Sequence, residues 1–233
     1  MTDLRYEWKF FLSPAEAEAL QRRLANVFAY DAHSGPAGYR VCSLYFDTPG
    51  LDAYRQKLDG QQNREKFRAR VYNGDMGFIR LERKMRWDGL IQKQTQTVDA
   101  DFVRAALAGV PAPLGCADAL TRRLGLAQRL WGLAPRVIVA YHRVVFVAPP
   151  DVRISFDNGI TASARLADFL RPGGAGFPVL DKPMTVMEIK YGHFLPGAVQ
   201  ALVAGVRAQA QSVSKYALCM GKVMEVGAYV QGG

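Results

Sequence analysis

The sequence predicts an α+β fold in which eight hairpin-linked strands close into a barrel wide enough for a small ligand, with helices between them. Three observations predict it. Eight strand-like apolar runs recur along 233 residues, at 4–11, 39–47, 64–73, 76–86, 90–98, 134–147, 151–158 and 183–191. Turn signals of the hairpin type join several of them. Helix start signals stand between the rest.

In chain order, 4–11 is the first strand, and Ser13-Pro14-Ala15-Glu16 reads as a capping box with proline at the first helical position. It opens a helix to about residue 28. Strands 64–73 and 76–86 are joined by Asn73-Gly74-Asp75, and Asp88-Gly89 leads into 90–98. Residues 99–109 and 117–131 form a helical insertion, with Asp99 or Asp101 as its cap. Pro149-Pro150-Asp151 makes a tight link between two later strands. The segment from Arg171 to Gly176 reads as a flexible loop, Pro196 starts a further helix, and Ser212 or Ser214 opens a last one to about 227. No internal repeat and no low-complexity region beyond the Gly-Gly tail is present, so residues 1–233 read as a single domain.

Charge is what sets these strands apart. Side chains alternate faces along a strand, so Arg68 and Arg70 point one way, as do Arg80, Glu82 and Lys84, and Glu188 and Lys190. Lys9, Lys93, Arg143 and Arg153 extend the pattern. Cations dominate these positions, and two of them about 7 Å apart repel by about 2 kcal/mol at an effective dielectric of 20. If the faces converge, a strongly anionic ligand has to offset that repulsion, and the few carboxylates point to a metal ion travelling with it.

The remaining composition agrees. A net charge of +9 calls for an acidic partner: nucleic acid, anionic membrane or a phosphorylated small molecule. Nucleic-acid binding is disfavoured, because the basic residues alternate with apolar ones inside strands instead of joining exposed aromatics on an outer face. Cys42, Cys116 and Cys219 are widely spaced and odd in number, which fits reduced thiols in a cytoplasmic protein. The N-terminus has no signal-peptide apolar stretch, and no run approaches the 18 apolar residues of a membrane helix.

Each motif also has a plainer reading. Glu7 and Lys9 share a face and would suit an exposed edge strand. Glu188 sits in an apolar strand, where a carboxylate either pairs with Lys190 or Arg143 or binds a metal. Three histidines in the chain argue against a His-based metal site. The sequence holds no Ser-His-Asp arrangement, no GxxxxGK[ST] loop and no GxGxxG fingerprint, so phosphate chemistry here would rest on side-chain cations and a metal.

The ordered series from Ser43 to Tyr54, Lys66 to Tyr72, Leu81 to Lys84, Tyr141 to Arg143, Val152 to Asp157, Glu188 to Lys190 and Ser214 to Tyr216 resembles the catalytic domain of the VTC polyphosphate polymerases. These belong to the triphosphate tunnel metalloenzymes. The resemblance implies an eight-stranded antiparallel β tunnel, a closed barrel, with helices packed outside and a C-terminal helix near one mouth. It implies manganese or magnesium, ATP as donor and inorganic polyphosphate as product. It also implies catalytic roles for Lys9, Arg68, Arg70, Lys84, Arg143 and Lys215. Lys93, Tyr141, Arg153, Lys190 and Ser214 would contact substrate, and Glu188 would hold the metal. Relatives that hydrolyse or cyclise usually open with an ExExK pattern. Here Arg5 replaces the first carboxylate, which favours the polymerase branch. Phosphoryl transfer asks chiefly for charge neutralisation and in-line positioning. A polyphosphate terminus is already anionic and needs no base, which suits a carboxylate-poor lining. The rivals are a metal-dependent tripolyphosphatase or nucleoside triphosphatase, and a polyphosphate-binding module without turnover.

Overall fold

The structure is a computed structural model, and it describes residues 6–87, 90–171, 173, 176–206 and 212–231. Arg5, the Asp88-Gly89 turn and half of the loop from Arg171 to Gly176 lie outside the described residues.

The strands are β1 (Tyr6–Leu12), β2 (Ala29–Tyr30), β3 (Tyr39–Asp47), β4 (Arg64–Tyr72), β5 (Ile79–Trp87), β6 (Leu90–Val98), β7 (Ala134–Ala148), β8 (Val152–Ser163), β9 (Phe177–Pro178) and β10 (Thr185–Tyr191). The helices are α1 (Pro14–Ala25), α2 (Asp52–Leu58), α3 (Ala100–Leu107), α4 (Ala119–Trp131), α5 (Gly197–Val203) and α6 (Lys215–Gln231), with a 3-10 turn at Leu166–Leu170. All eight predicted strands are present. The additional elements are the two-residue β2 and β9, α2 and the 3-10 turn.

The strand order is β1-β10-β8-β7-β3-β4-β5-β6, with β2 on β7 and β9 on β8. The ladders of known register are antiparallel. This order corrects the expected closed barrel: it is an open path with β1 and β6 at its two ends. Composition accounts for the β6 edge. Gln92, Gln94 and Gln96 occupy one of its faces and Lys93, Thr95 and Thr97 the other, a polar surface that tolerates solvent and discourages further pairing.

The chain forms two compact units. The first comprises Met1–Arg40, Tyr141–Ile160 and Leu180–Val213. In it the apolar faces of β1, β8 and β10, through Phe10, Phe156, Met187 and Ile189, pack with Leu20 and Leu24 of α1 and Val199 and Val203 of α5. The predicted capping box starts α1, since Ser13 Oγ accepts from Glu16 N at 3.3 Å and Ser13 N donates to Glu16 at 2.7 Å. The helix ends at Ala25, three residues before the expected end, once its apolar periodicity is spent.

The second unit comprises Val41–Ala140, Thr161–Val179 and Ser214–Gly233. Phe67, Val71 and Leu81 turn to a core shared with Val103 and Ala106 of α3 and Leu120 and Leu124 of α4. Each fully buried Val, Leu or Phe side chain among these contributes about 1.5–3 kcal/mol. Phe67, Val71, Leu81 and, in the first unit, Ile189 thus face helices, on the side of their strands away from the charged residues. Asp99 caps α3, accepting from Phe102 N at 2.8 Å, and Asp118 caps α4 through Thr121 N at 2.6 Å. Asn73 and Gly74 take φ of 51° and 75°, the doubly left-handed turn their sequence signals. Among the described residues, no helix is long and apolar enough to cross a membrane.

Candidate functional site

Six of the predicted site residues fall in the first unit: Lys9, Tyr141, Arg143, Arg153, Glu188 and Lys190. The register of β1 on β10 sets Glu7 opposite Lys190 and Lys9 opposite Glu188. The result is a checkerboard of two carboxylates and two ammonium groups. Lys9 lies 3.5 Å from Glu7 and 3.7 Å from Glu188, while Lys190 lies 3.4 Å and 3.6 Å from the same two. Lys9 also donates to the Val213 carbonyl at 3.2 Å.

Arg143 adjoins this square, with Nη2 at 3.8 Å from Glu188 and its guanidinium 5.2 Å from the centre of the Tyr141 ring. Its main partner is Asp157, which is fully buried and accepts from it twice. Burial opposes the guanidinium's charge, but Asp157 and the Tyr141 and Glu188 side chains outweigh that and hold it protonated more firmly than an ordinary arginine. Arg153 stands opposite Lys190 on β8 and donates to Asp31 at 2.8 Å and to the Tyr39 hydroxyl at 3.4 Å. The first unit is thus close to charge balance. Four cations, Lys9, Arg143, Arg153 and Lys190, meet the carboxylates of Glu7, Asp31, Asp157 and Glu188.

Arg68, Arg70, Lys84, Lys93, Ser214 and Lys215 fall in the second unit. Residues opposite each other in an antiparallel ladder share a face. On β4, β5 and β6, the register lines up Arg70 with Arg80 and Thr97, Arg68 with Glu82 and Thr95, and Lys66 with Lys84 and Lys93. Among these residues Glu82 is the lone carboxylate. It is 2 % exposed and pairs with Arg68 and Lys93. Burial would raise its carboxyl, yet Arg68, Arg70 and Lys93 together hold it far below the ordinary carboxylate range. Arg68 also donates to the Tyr45 hydroxyl at 2.8 Å, and Arg70 to Ser43 at 2.9 Å. Both arginines are oriented from the neighbouring strand β3, whose register sets Ser43 beside Arg70 and Tyr45 beside Arg68 on the same face.

The start of α6 adjoins these residues. Ser214 caps the helix, accepting from Ala217 N at 3.3 Å, and accepts from Lys66 at 3.2 Å. Lys215, 9 % exposed, sits on the first turn, where the helix dipole already disfavours a cation. Tyr216 stacks on Tyr45 with ring centroids 5.1 Å apart, and the two phenols shift in opposite directions. Burial pushes Tyr45 up, but Arg68 and Arg70 win and lower it. Burial and the hydrogen bond to Asp47 raise Tyr216. Asp47 is itself fully buried, accepting from Thr48 N, Ala53 N, Tyr54 N and the Tyr216 hydroxyl. It starts α2, behind a left-handed Leu51, and ties that helix to α6.

The residues that sequence reasoning missed are these supports: Asp31, Tyr45 and Asp47, together with the role of Asp157 as the partner of Arg143. Asp47 and Tyr45 had a local signal in the period-two alternation of β3. Asp31, 122 positions from Arg153, had none.

Compared with known proteins, the chain matches the VTC domain family over residues 4–224. Three solved structures share its fold. A candidate adenylyl cyclase from Hippeastrum, described as having a dominant triphosphatase activity, superposes with a TM-score of 0.57 at 15% identity, covering 95% of this chain and 96% of its own. A candidate adenylate cyclase from Bacillus halodurans gives 0.54 at 15% identity, with coverage of 91% and 95%. One from Vibrio parahaemolyticus gives 0.51 at 10% identity, with coverage of 94% and 98%. None of the curated proteins matches the chain in sequence.

Proposed function

Because this chain belongs to the VTC domain family, we propose that residues 1–233 act as one domain that synthesises inorganic polyphosphate, transferring the γ-phosphate of ATP to the growing chain. The observation that carries this reading is the charge imbalance of the β4–β5–β6 face, where Glu82 alone stands among Lys66, Arg68, Arg70, Arg80, Lys84 and Lys93. Such a surplus is offset by a ligand with closely spaced negative charges. The buried Lys215 at the positive end of α6 adds to the same demand.

In this reading Arg68, Arg70 and Lys84 clamp the triphosphate. Tyr45 and Ser43 hold the arginines so that little reorganisation accompanies the transfer. Lys9, Arg143 and Lys215 neutralise charge at the transferred group, while Lys93, Tyr141, Arg153, Lys190 and Ser214 steady the rest of the substrate. Among the described residues no group of three His, Cys, Asp or Glu side chains gathers as a metal site. Glu188 nevertheless fits a hard divalent ion, Mn2+ or Mg2+, which takes one or two carboxylates and completes its shell with phosphate oxygens and water. Such an ion would supply charge neutralisation between phosphate oxygens.

The test is to incubate the protein with ATP and manganese and resolve the products on a polyphosphate gel. A ladder of polymer supports the proposal, and free phosphate alone overturns it. One observation favours a second reading, a metal-dependent triphosphatase: Glu7 and Glu188 share the same two lysines, so two carboxylates stand on one face of adjoining strands. The triphosphatase activity described for the Hippeastrum protein points the same way.

A further inference from the structure

The cationic face of β4 and β5 runs on past the residues assigned to the triphosphate. Beyond the rung of Lys66, Lys84 and Lys93, Arg64 stands directly opposite Arg86. Alternate residues of a strand are about 6.7 Å apart, so the four cations Arg70, Arg68, Lys66 and Arg64 extend over about 20 Å. Three phosphoryl groups are too short to cover that length.

The last rung is a poor arrangement for an unliganded protein. Like charges directly opposite one another destabilise a sheet. Both guanidinium groups are half-buried, which removes part of the water that would screen them. Arg64 donates to the Gln61 carbonyl, and burial together with Arg86 makes it easier to deprotonate than an ordinary arginine. Arg86 is worse placed. Among the described residues, its Nε is the one buried side-chain nitrogen or oxygen without a hydrogen-bond partner. A buried donor left unmade costs about 1–3 kcal/mol, and more when charged. A phosphate oxygen would satisfy Nε and relieve the repulsion together, because arginine's fork matches phosphate geometry.

We propose that the Arg64–Arg86 rung is a subsite for phosphoryl units of a polyphosphate chain beyond the first three. The protein then grips a polymer along the length of β4 and β5 and distinguishes it from a single triphosphate. This rests on the reading of the second unit's cationic face as a polyphosphate site. It adds to that reading a preference for long chains and the two residues that set it.

Calorimetric titration of the full chain at fixed ionic strength, with tripolyphosphate and with long-chain inorganic polyphosphate, tests it. Wild type should bind the long chain more tightly. Arg86→Gln and, separately, Arg64→Gln should each weaken long-chain binding about tenfold, the equivalent of one charge-assisted contact. Tripolyphosphate, whose clamp starts at the adjacent Lys84 rung but is centred on Arg68 and Arg70, should lose no more than about twofold and reports that each variant is folded. Unchanged long-chain affinity in both variants, with tripolyphosphate still bound, overturns the subsite and leaves the proposed function standing. Equal loss of both ligands also overturns a separate subsite. Wild type that binds neither ligand overturns the underlying reading as well.

Discussion

Arg143 grips Asp157 with two parallel hydrogen bonds, Nε to Oδ1 at 2.5 Å and Nη2 to Oδ2 at 2.7 Å, and Asp157 has no exposure to solvent. An arginine held in this way is part of the fold as well as of any phosphate site. Breaking a buried ion pair from one side leaves the other charge uncompensated, at about 3–5 kcal/mol. Arg143→Ala should therefore lower stability by about that amount. Asp157→Asn should cost less, because an amide still accepts one of the two bonds. Urea midpoints of the two variants decide this. An unchanged midpoint in Arg143→Ala would show the residue to be purely functional.

The first unit departs most from what the sequence makes legible. Alternation in β4, β5 and β10 sets Arg68, Arg70, Lys84 and Glu188 on the strand faces away from the helices, because strand period is a local property and the opposite faces are filled by Phe67, Val71, Leu81 and Ile189. Strand boundaries follow for the same reason. Which cation meets which carboxylate depends instead on register between strands far apart in the chain. Lys9 opposite Glu188 is separated by 179 positions, and no local signal marks such a pairing (188 − 9 = 179). The expectation of an overwhelmingly cationic lining accordingly describes the second unit and overstates the first, where Asp31, Asp157 and Glu7 restore balance. Barrel closure depends on distant pairing in the same way: eight strands allow it, but β1 and β6 stand at the two ends of the strand path.

Glu82 makes stability depend on pH. Burial raises its carboxyl, but Arg68, Arg70 and Lys93 depress it well below the unfolded value of about 4.3. A group depressed on folding contributes stability above its unfolded pKa, and that stability is lost as pH falls towards its folded value. Glu82→Gln should therefore cost about 3 kcal/mol at neutral pH, with the deficit shrinking below about pH 4, where the carboxyl of the unfolded wild-type chain takes up a proton that the folded one still refuses. Urea unfolding of both proteins at pH 7 and pH 3 measures it. A deficit of equal size at both values would mean that Glu82 acts by shape alone.

Lys84 is the middle lysine of the Lys66–Lys84–Lys93 rung. Removing the central charge of three relieves repulsion in the unliganded protein and removes attraction for phosphate. Lys84→Met should melt no lower than wild type while turnover of ATP falls by about a hundredfold or more, the usual scale for losing one preorganised charge contact. Melting temperature and turnover per folded molecule, measured together, separate the two effects. A variant that unfolds yet retains its activity per folded molecule would make the lysine structural.

Glu188 is the carboxylate on which metal dependence is expected to turn. It lies 3.7 Å from Lys9, 3.6 Å from Lys190 and 3.8 Å from Arg143, so its charge is already shared before any ion arrives. Manganese alone should bind weakly, and tripolyphosphate should strengthen that binding by adding oxygen ligands and neutralising the surrounding cations. Glu188→Gln should abolish metal-dependent turnover while tripolyphosphate still binds, because the substitution removes a negative charge and leaves the arginines in place. Calorimetry with tripolyphosphate, with and without manganese, follows both properties in one experiment. Persistent manganese-dependent turnover would move the ion to Glu7, which meets the same two lysines at 3.5 and 3.4 Å, since Asp157 has both oxygens committed to Arg143.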